Sequence, residues 1–136
     1  MPNRTFVLDS NIWISFVIKK KLSLLVEILQ IHEITVLSCS KLKEEISVVL
    51  HRPKFRKYIS NKNIIEAIIL HDKLSNAMVL GVIKKQNRDQ DDDYLFALCK
   101  IGKADYLVSG DKDVLESGIE PPPVLLTMHE FLEMYH

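Results

Sequence analysis

Little in this chain supports a stapled or membrane-bound protein. Two cysteines, Cys39 and Cys99, stand 60 residues apart in apolar surroundings. That excludes a disulfide framework and reads as buried thiols in a reducing compartment. Net charge is absent: 18 basic residues balance 18 acidic ones, so no bulk positive field gathers nucleic acid. No apolar run reaches the ~18 residues that span a bilayer. The opening Met1-Pro2-Asn3-Arg4-Thr5 lacks the apolar stretch of a signal peptide. The five histidines (His32, His51, His71, His129, His136) are scattered and form no zinc signature with the cysteines. Each reads as a surface or structural residue. No internal repeat or low-complexity linker interrupts the sequence, which is read as one domain over 1–136. A soluble cytoplasmic protein is expected.

What is present is an ordinary globular composition, 47% hydrophobic and 26% charged in 136 residues. Short apolar runs at 6–8, 34–37, 106–108 and 124–126 read as strands, with a weaker one at 78–80 and 82–83 broken by Gly81. They are apolar throughout rather than alternating, which suits a sheet covered on both faces. Helical spacing predicts helices over 22–31, over 42–50 behind a Ser40 N-cap, and over 61–77. Two more are predicted over 91–101 with Gly102 as C-cap and over 128–135 with Thr127 as N-cap. Strands alternating with helices give an α/β domain with a mainly parallel sheet. Ligands of such sheets bind beyond the carboxyl ends of the strands.

That rule selects among the acids. Asp9 stands where the first strand stops, and Asp111 follows the fourth across Ser109-Gly110, with Asp113 next. Each also suits a turn or helix start. In a helix Glu45 borders the apolar stripe of Leu42, Ile46 and Val49, whereas Glu44 is more solvated. A glutamate on that side is costly unless it is paired, for which Lys41 is available, or binds a cation. Within Asp89-Gln90-Asp91-Asp92-Asp93, Asp92 has Leu95, Phe96 and Cys99 as helical neighbours and is read as the inward acid. Asp93 is placed toward the rim. Asp9, Glu45, Asp92 and Asp111 converging on one sheet edge would repel one another unless a hard cation were shared, and oxygen-only ligation suits Mg²⁺ or Mn²⁺.

Four blocks carry a family resemblance. Asp9-Ser10-Asn11-Ile12-Trp13-Ile14-Ser15 is similar to the opening of PIN domains. Ser38-Cys39-Ser40 through Glu45 to His51-Arg52-Pro53-Lys54-Phe55 resembles the second family block. Arg88-Asp89-Gln90-Asp91-Asp92-Asp93-Tyr94 resembles the third, with Gln90 where the subgroup often has proline. Ala104-Asp105-Tyr106-Leu107-Val108-Ser109-Gly110-Asp111-Lys112-Asp113 resembles the fourth. The resemblance implies a three-layer α/β/α sandwich with a parallel sheet of about five strands. It implies Mg²⁺- or Mn²⁺-dependent hydrolysis of RNA phosphodiesters. It assigns catalytic and metal-ligand roles to Asp9, Glu45, Asp92 and Asp111, and supporting roles to Asn11, Ser109 and Asp113. The subgroup is that of toxins in toxin–antitoxin systems, which implies an antitoxin partner and a homodimer.

The acids repel RNA, so cations elsewhere must hold it. The stretch from His51 to Tyr58 offers Arg52, Lys54, Arg56 and Lys57 with interleaved aromatics; Lys19-Lys20-Lys21 and Lys84-Lys85 with Arg88 are further options. A dehalogenase-like phosphatase would need an aspartate where Asn11 stands, and a receiver-like domain would leave the Glu45 block unexplained. The remaining alternatives are another Mg²⁺-dependent phosphoesterase and a catalytically silent PIN scaffold that binds RNA or protein.

Overall fold

The computed structural model describes residues 4–81 and 93–135. A buried strand β1 (Thr5–Leu8) leads into α1 (Ser10–Ile18) and α2 (Leu22–Ile31). Strand β2 (Thr35–Ser38) is followed by α3 (Ser40–Leu50), the short α4 (Pro53–Arg56) and α5 (Asn61–Leu74), which runs straight into β3 (Ser75–Ala77). The chain then forms α6 (Asp93–Gly102), β4 (Tyr106–Val108), α7 (Lys112–Leu115), β5 (Val124–Leu126) and α8 (Met128–Met134). All strand pairs are parallel, in the order β3-β2-β1-β4-β5. The expected α/β fold with a five-stranded parallel sheet is therefore what the chain adopts.

Successive residues of β1, Phe6, Val7 and Leu8, are all fully buried, so both faces of the central strand are covered. In-register residues of a parallel sheet share a face. Val7, Leu37 and Leu107 form one row, and α6 lies against its Leu37 through Gly102. Phe6, Val36 and Tyr106 form a row on the other face, where Phe131 of α8 and Tyr135 just beyond it meet the Phe6 ring edge-on. A helix layer on each side of the sheet results.

Three expectations need correction. The third strand is Ser75–Ala77 rather than 78–80; residues 82–83 lie outside the described ones. Being a three-residue edge strand with exposed positions, β3 needs no apolar run, and the helix before it stops at Leu74 rather than 77. Cys39, not Ser40, is the N-cap of α3, and no side chain caps it. Ser40 already lies in the first turn, because β2 passes into the helix with one intervening residue. Gly102 is not a left-handed cap: it is the last residue of α6, while Lys103 takes the left-handed position at φ 53°.

Lys20 and Glu33 do the same after α1 and α2, at φ 57° and 52°. Each of the three ends is closed by an amide reaching back five residues: Lys21 N–H to Phe16 O, Ile34 N–H to Leu29 O and Ala104 N–H to Cys99 O. Gly102 is instead required by close approach, since a Cβ there would overlap Leu37 Cδ1 and lie 2.9 Å from Met78 Sδ. Gly102→Ala should therefore cost about 1–3 kcal/mol through overpacking. Lys103→Gly should stabilise by roughly 0.5–1 kcal/mol by relieving the left-handed strain. Denaturant midpoints of the two variants moving in the same direction would contradict this reading.

Candidate metal and nucleic-acid site

The sheet order reverses direction between β1 and β4, and Asp9 emerges at that point. Its amide bonds Val108 O, tying the first residue after β1 to the end of β4. Asp9 is the N-cap of α1, and its Oδ1 accepts from Ser10 N–H at 2.7 Å and, more weakly, from the Ser10 hydroxyl at 3.5 Å. Its Oδ2 accepts from the Ser109 hydroxyl at 2.7 Å and the Asn11 amide at 3.3 Å. The carboxylate is 3% exposed and Ser109 is completely buried. Burial pushes the Asp9 carboxyl above its ordinary value of 3.8; the Ser109 and Ser10 bonds oppose this, and the Glu45 and Asp111 charges add to it. Glu45 and Asp111 thus act electrostatically on one buried acid, although 36 and 102 positions separate them from it in sequence.

The β4 end is braced against α1. Gly110 N–H bonds Asn11 Oδ1 at 3.0 Å, and Asp111 N–H bonds the Ser109 hydroxyl at 3.0 Å. Asp111 caps α7 by accepting from Asp113 N–H at 2.9 Å. The turn-and-cap roles open to Asp9 and Asp111 from sequence are therefore both filled. Each oxygen of a carboxylate has two acceptor positions; on Asp9 all four are engaged, the longest of the bonds coming from the Ser10 hydroxyl at 3.5 Å, while on Asp111 the Asp113 bond takes one. Asn11 and Ser109, expected to support the first and last acids, do touch Asp9.

Glu45 is half-buried on α3, as its position beside the apolar stripe implied, and Glu44 is exposed. The phenol of Tyr94 donates to Glu45 Oε2 at 2.7 Å, a contact that sequence reading missed. The available signal was a tyrosine in the apolar first turn of a helix, whose hydroxyl must find a partner once buried.

Asp92 lies outside the described residues. Asp93 is 3% exposed, not on the rim as its helical neighbours suggested. All four residues of the first turn of α6, Asp93 to Phe96, are buried, so this end of the helix is inserted into the protein and spacing along it does not separate an inner from an outer side. Among the described residues, no three carboxylate, imidazole or thiol side chains gather closely enough to enclose a metal ion. The chemistry of the donors still fits a hard divalent cation: oxygen acids at adjacent strand ends, one of them buried against its own charge. Cys39 and Cys99 are free and buried.

The expected RNA-binding cations all lie on the surface around α4. Arg52 lines a cleft of about 500 Å³ together with Lys41, Glu44 and Glu45. Arg56 is bonded to Asn61 Oδ1, and Lys54 and Lys57 lie over the rings of Phe55 and Tyr58. Of these four residues, Arg52 alone shares the cleft with an acid of the site.

A second polar chain runs beside the site. Ser38 Oγ and His71 Nε2 are 2.8 Å apart, His71 Nδ1 and Asp72 Oδ1 are 3.0 Å apart, and Lys43 Nζ bonds Asp72 Oδ2 at 2.7 Å. The connectivity is that of a hydrolytic triad. However, Ser38 is 1% exposed and Asp72 is paired with a lysine, so the chain acts as a strut. It joins α5 to the end of β2, and the His71 ring also packs edge-on against Trp13 of α1. Burial lowers the His71 pKa below its ordinary 6.5, opposed by Asp72 and aided by Lys43. The unfolded chain therefore binds this proton more readily, and stability is complete above pH 6.5 and declines as pH falls below it. His71→Gln should flatten that part of the Tm–pH curve. An unchanged slope would remove His71 as its source.

A family model described as a PIN domain matches residues 5–113. That span contains every acid discussed above. No curated protein matches the chain, and no solved structure does.

Proposed function

The chain belongs to the PIN-domain family, a nuclease-type fold, and from that premise we propose that it is a metal-dependent endoribonuclease, one domain over 1–136 that hydrolyses RNA phosphodiester bonds. The observation that carries the reading is the buried Asp9 carboxylate at the switch point of the sheet, hydrogen-bonded by four donors of three residues and acted on by Glu45 and Asp111. Asp9, Glu45, Asp92 and Asp111 are the residues that would hold Mg²⁺ or Mn²⁺. Bound there, such an ion supplies Lewis-acid chemistry to the phosphate and to the attacking water.

The chain's own groups supply the rest. Ser109, Ser10 and Asn11 stabilise the ionised form of Asp9 and fix its orientation. Asn11 and Ser109 also clamp the loop that carries Asp111 and Asp113, holding both strand ends in one geometry. Arg52 and Lys41 border the cleft beside Glu45 and are placed to meet backbone phosphates. We further propose a cytoplasmic toxin that forms a homodimer and is restrained by an antitoxin protein, on the strength of the four-block resemblance.

A second reading is a silent PIN module that binds RNA or protein. The lack of three converging ligand groups among the described residues favours it. One assay separates the two: purified protein with single-stranded RNA, in Mg²⁺, in Mn²⁺ and in chelator. Cleavage that appears with either ion and stops with chelator supports the nuclease. Binding without cleavage under all three conditions supports the silent module.

A further inference from the structure

Tyr94 is almost wholly buried, at 1% exposure, in the first turn of α6. Its hydroxyl donates to Glu45 Oε2 at 2.7 Å, and its ring face lies 5.1 Å from the Lys41 ammonium. Lys41 and Glu45 are one helical turn apart on α3, and both line the same cleft. A single side chain from another element therefore holds an acid by one edge and a cation by its face. Without it, a half-buried glutamate and an exposed lysine four residues apart would be expected to pair with each other. With it, the two are separately engaged.

We propose that Tyr94 is a positioning residue of the nuclease site: its hydroxyl fixes the Glu45 carboxylate for a divalent ion, and its ring holds Lys41 apart from Glu45 as a contact for the RNA backbone. This rests on the nuclease reading above. A carboxylate is presented to an ion more effectively when one of its oxygens is already fixed by a donor, and partners of this kind change metal affinity by roughly 10–100-fold. A lysine over an aromatic face keeps its charge while its position is restricted. Burial and the adjacent Glu45 both push the Tyr94 phenol upward in pKa, so it remains a donor.

The test measures Mn²⁺ affinity directly, by titration of the protein without RNA, together with kcat and KM for RNA cleavage. Tyr94→Phe keeps the ring and should weaken Mn²⁺ binding about 10–100-fold and lower kcat, with KM for RNA little changed. Lys41→Gln should do the opposite: Mn²⁺ affinity holds, KM rises, and the salt slope of RNA binding falls by about one. Glu45→Asp keeps the charge but draws the carboxylate away from the phenol. It should reproduce the Mn²⁺ loss whether or not Tyr94→Phe folds. In a Glu45→Gln background, Tyr94→Phe should have no further effect on Mn²⁺ binding.

Wild-type Mn²⁺ affinity in Tyr94→Phe, or in Glu45→Asp, overturns the hydroxyl's role, and an unchanged KM and salt slope in Lys41→Gln overturns the lysine's. If the wild type binds no Mn²⁺ and cleaves no RNA, the nuclease reading itself fails and the inference with it. If it does both and the variants behave as wild type, only the inference fails.

Discussion

Replacing Asp9 with asparagine should lower Mg²⁺- or Mn²⁺-dependent RNA cleavage by about 10³-fold or more, the scale expected when several kcal/mol of transition-state stabilisation are lost. The same change should make the metal-free protein harder to melt. The first effect follows from the loss of a ligand charge, the second from burial, which raises the pKa of the carboxyl and is not fully offset by its four hydrogen bonds. A folded-state pKa raised above 3.8 means that the folded protein holds this proton more tightly than the unfolded chain. Stability is therefore complete below pH 3.8 and is lost as pH rises through the folded value. At neutral pH the native state carries the whole cost of this charge, and asparagine removes it.

The replacement is sterically close. Its oxygen can still accept from Ser10 N–H, and its NH₂ can donate to the Ser109 hydroxyl, which accepts as readily as it donates; the longer bond from the Asn11 amide is lost. The Tm should rise at pH 7, and the gain should vanish near pH 3.8. Divalent ions should raise the wild-type Tm by mass action and leave that of Asp9→Asn unmoved. Thermal scans with and without Mn²⁺, alongside the cleavage assay, check every part. Retention of full cleavage would remove Asp9 from the site. A lower metal-free Tm would show that the hydrogen bonds outweigh the buried charge.

Phe6→Ala should cost about 3–5 kcal/mol, a large share of the ~5–15 kcal/mol that holds a domain together. Phe6 is fully buried in the central strand. Its ring stacks on Tyr106 of the neighbouring strand at 4.8 Å between centroids, and meets Phe131 at 5.4 Å and Tyr135 at 5.9 Å. Phe131 and Tyr135 lie beyond residue 113, where the family match ends. The aromatic cluster therefore joins the terminal helix to the sheet that carries Asp9, and strand pairing of β5 with β4 does the same. The variant should melt in one transition more than 10 °C below wild type, with near-ultraviolet and far-ultraviolet signals falling together. If the aromatic signal were lost while the rest melted as in wild type, the terminal helix would not share the core of the sheet.

The comparison of expectation with structure divides along physical lines. Strands at 6–8 and 106–108 and the helix at 22–31 were readable because their apolar pattern is set by burial, and burial is what that pattern records; the run at 124–126 was readable although only Leu126 of it is buried. The cap of the last helix was readable because Thr127 and Glu130 satisfy each other locally. The edge strand β3 left no such mark. It lies at the margin of the sheet, and its Ser75-Asn76-Ala77 is held by backbone bonds to β2, to which side chains contribute little. Gly102 misled because a glycine after a helix has two uses, a left-handed turn or a close contact, and only the position of Leu37 on another element decides between them.

The sequence by itself determined the alternation of strands and helices, and with it a parallel sheet with Asp9 and Asp111 just beyond strand ends, because hydrophobic period and strand-end chemistry are properties of neighbouring residues. Only the tertiary structure decided that the order of strands puts β4 beside β1, so that Ser109 reaches Asp9. It also decided that Tyr94 closes on Glu45 from another helix, and that Asp93 is buried. Those are contacts between residues 49 to 100 positions apart or an effect of how a helix end is inserted, and no local pattern encodes which distant segment arrives.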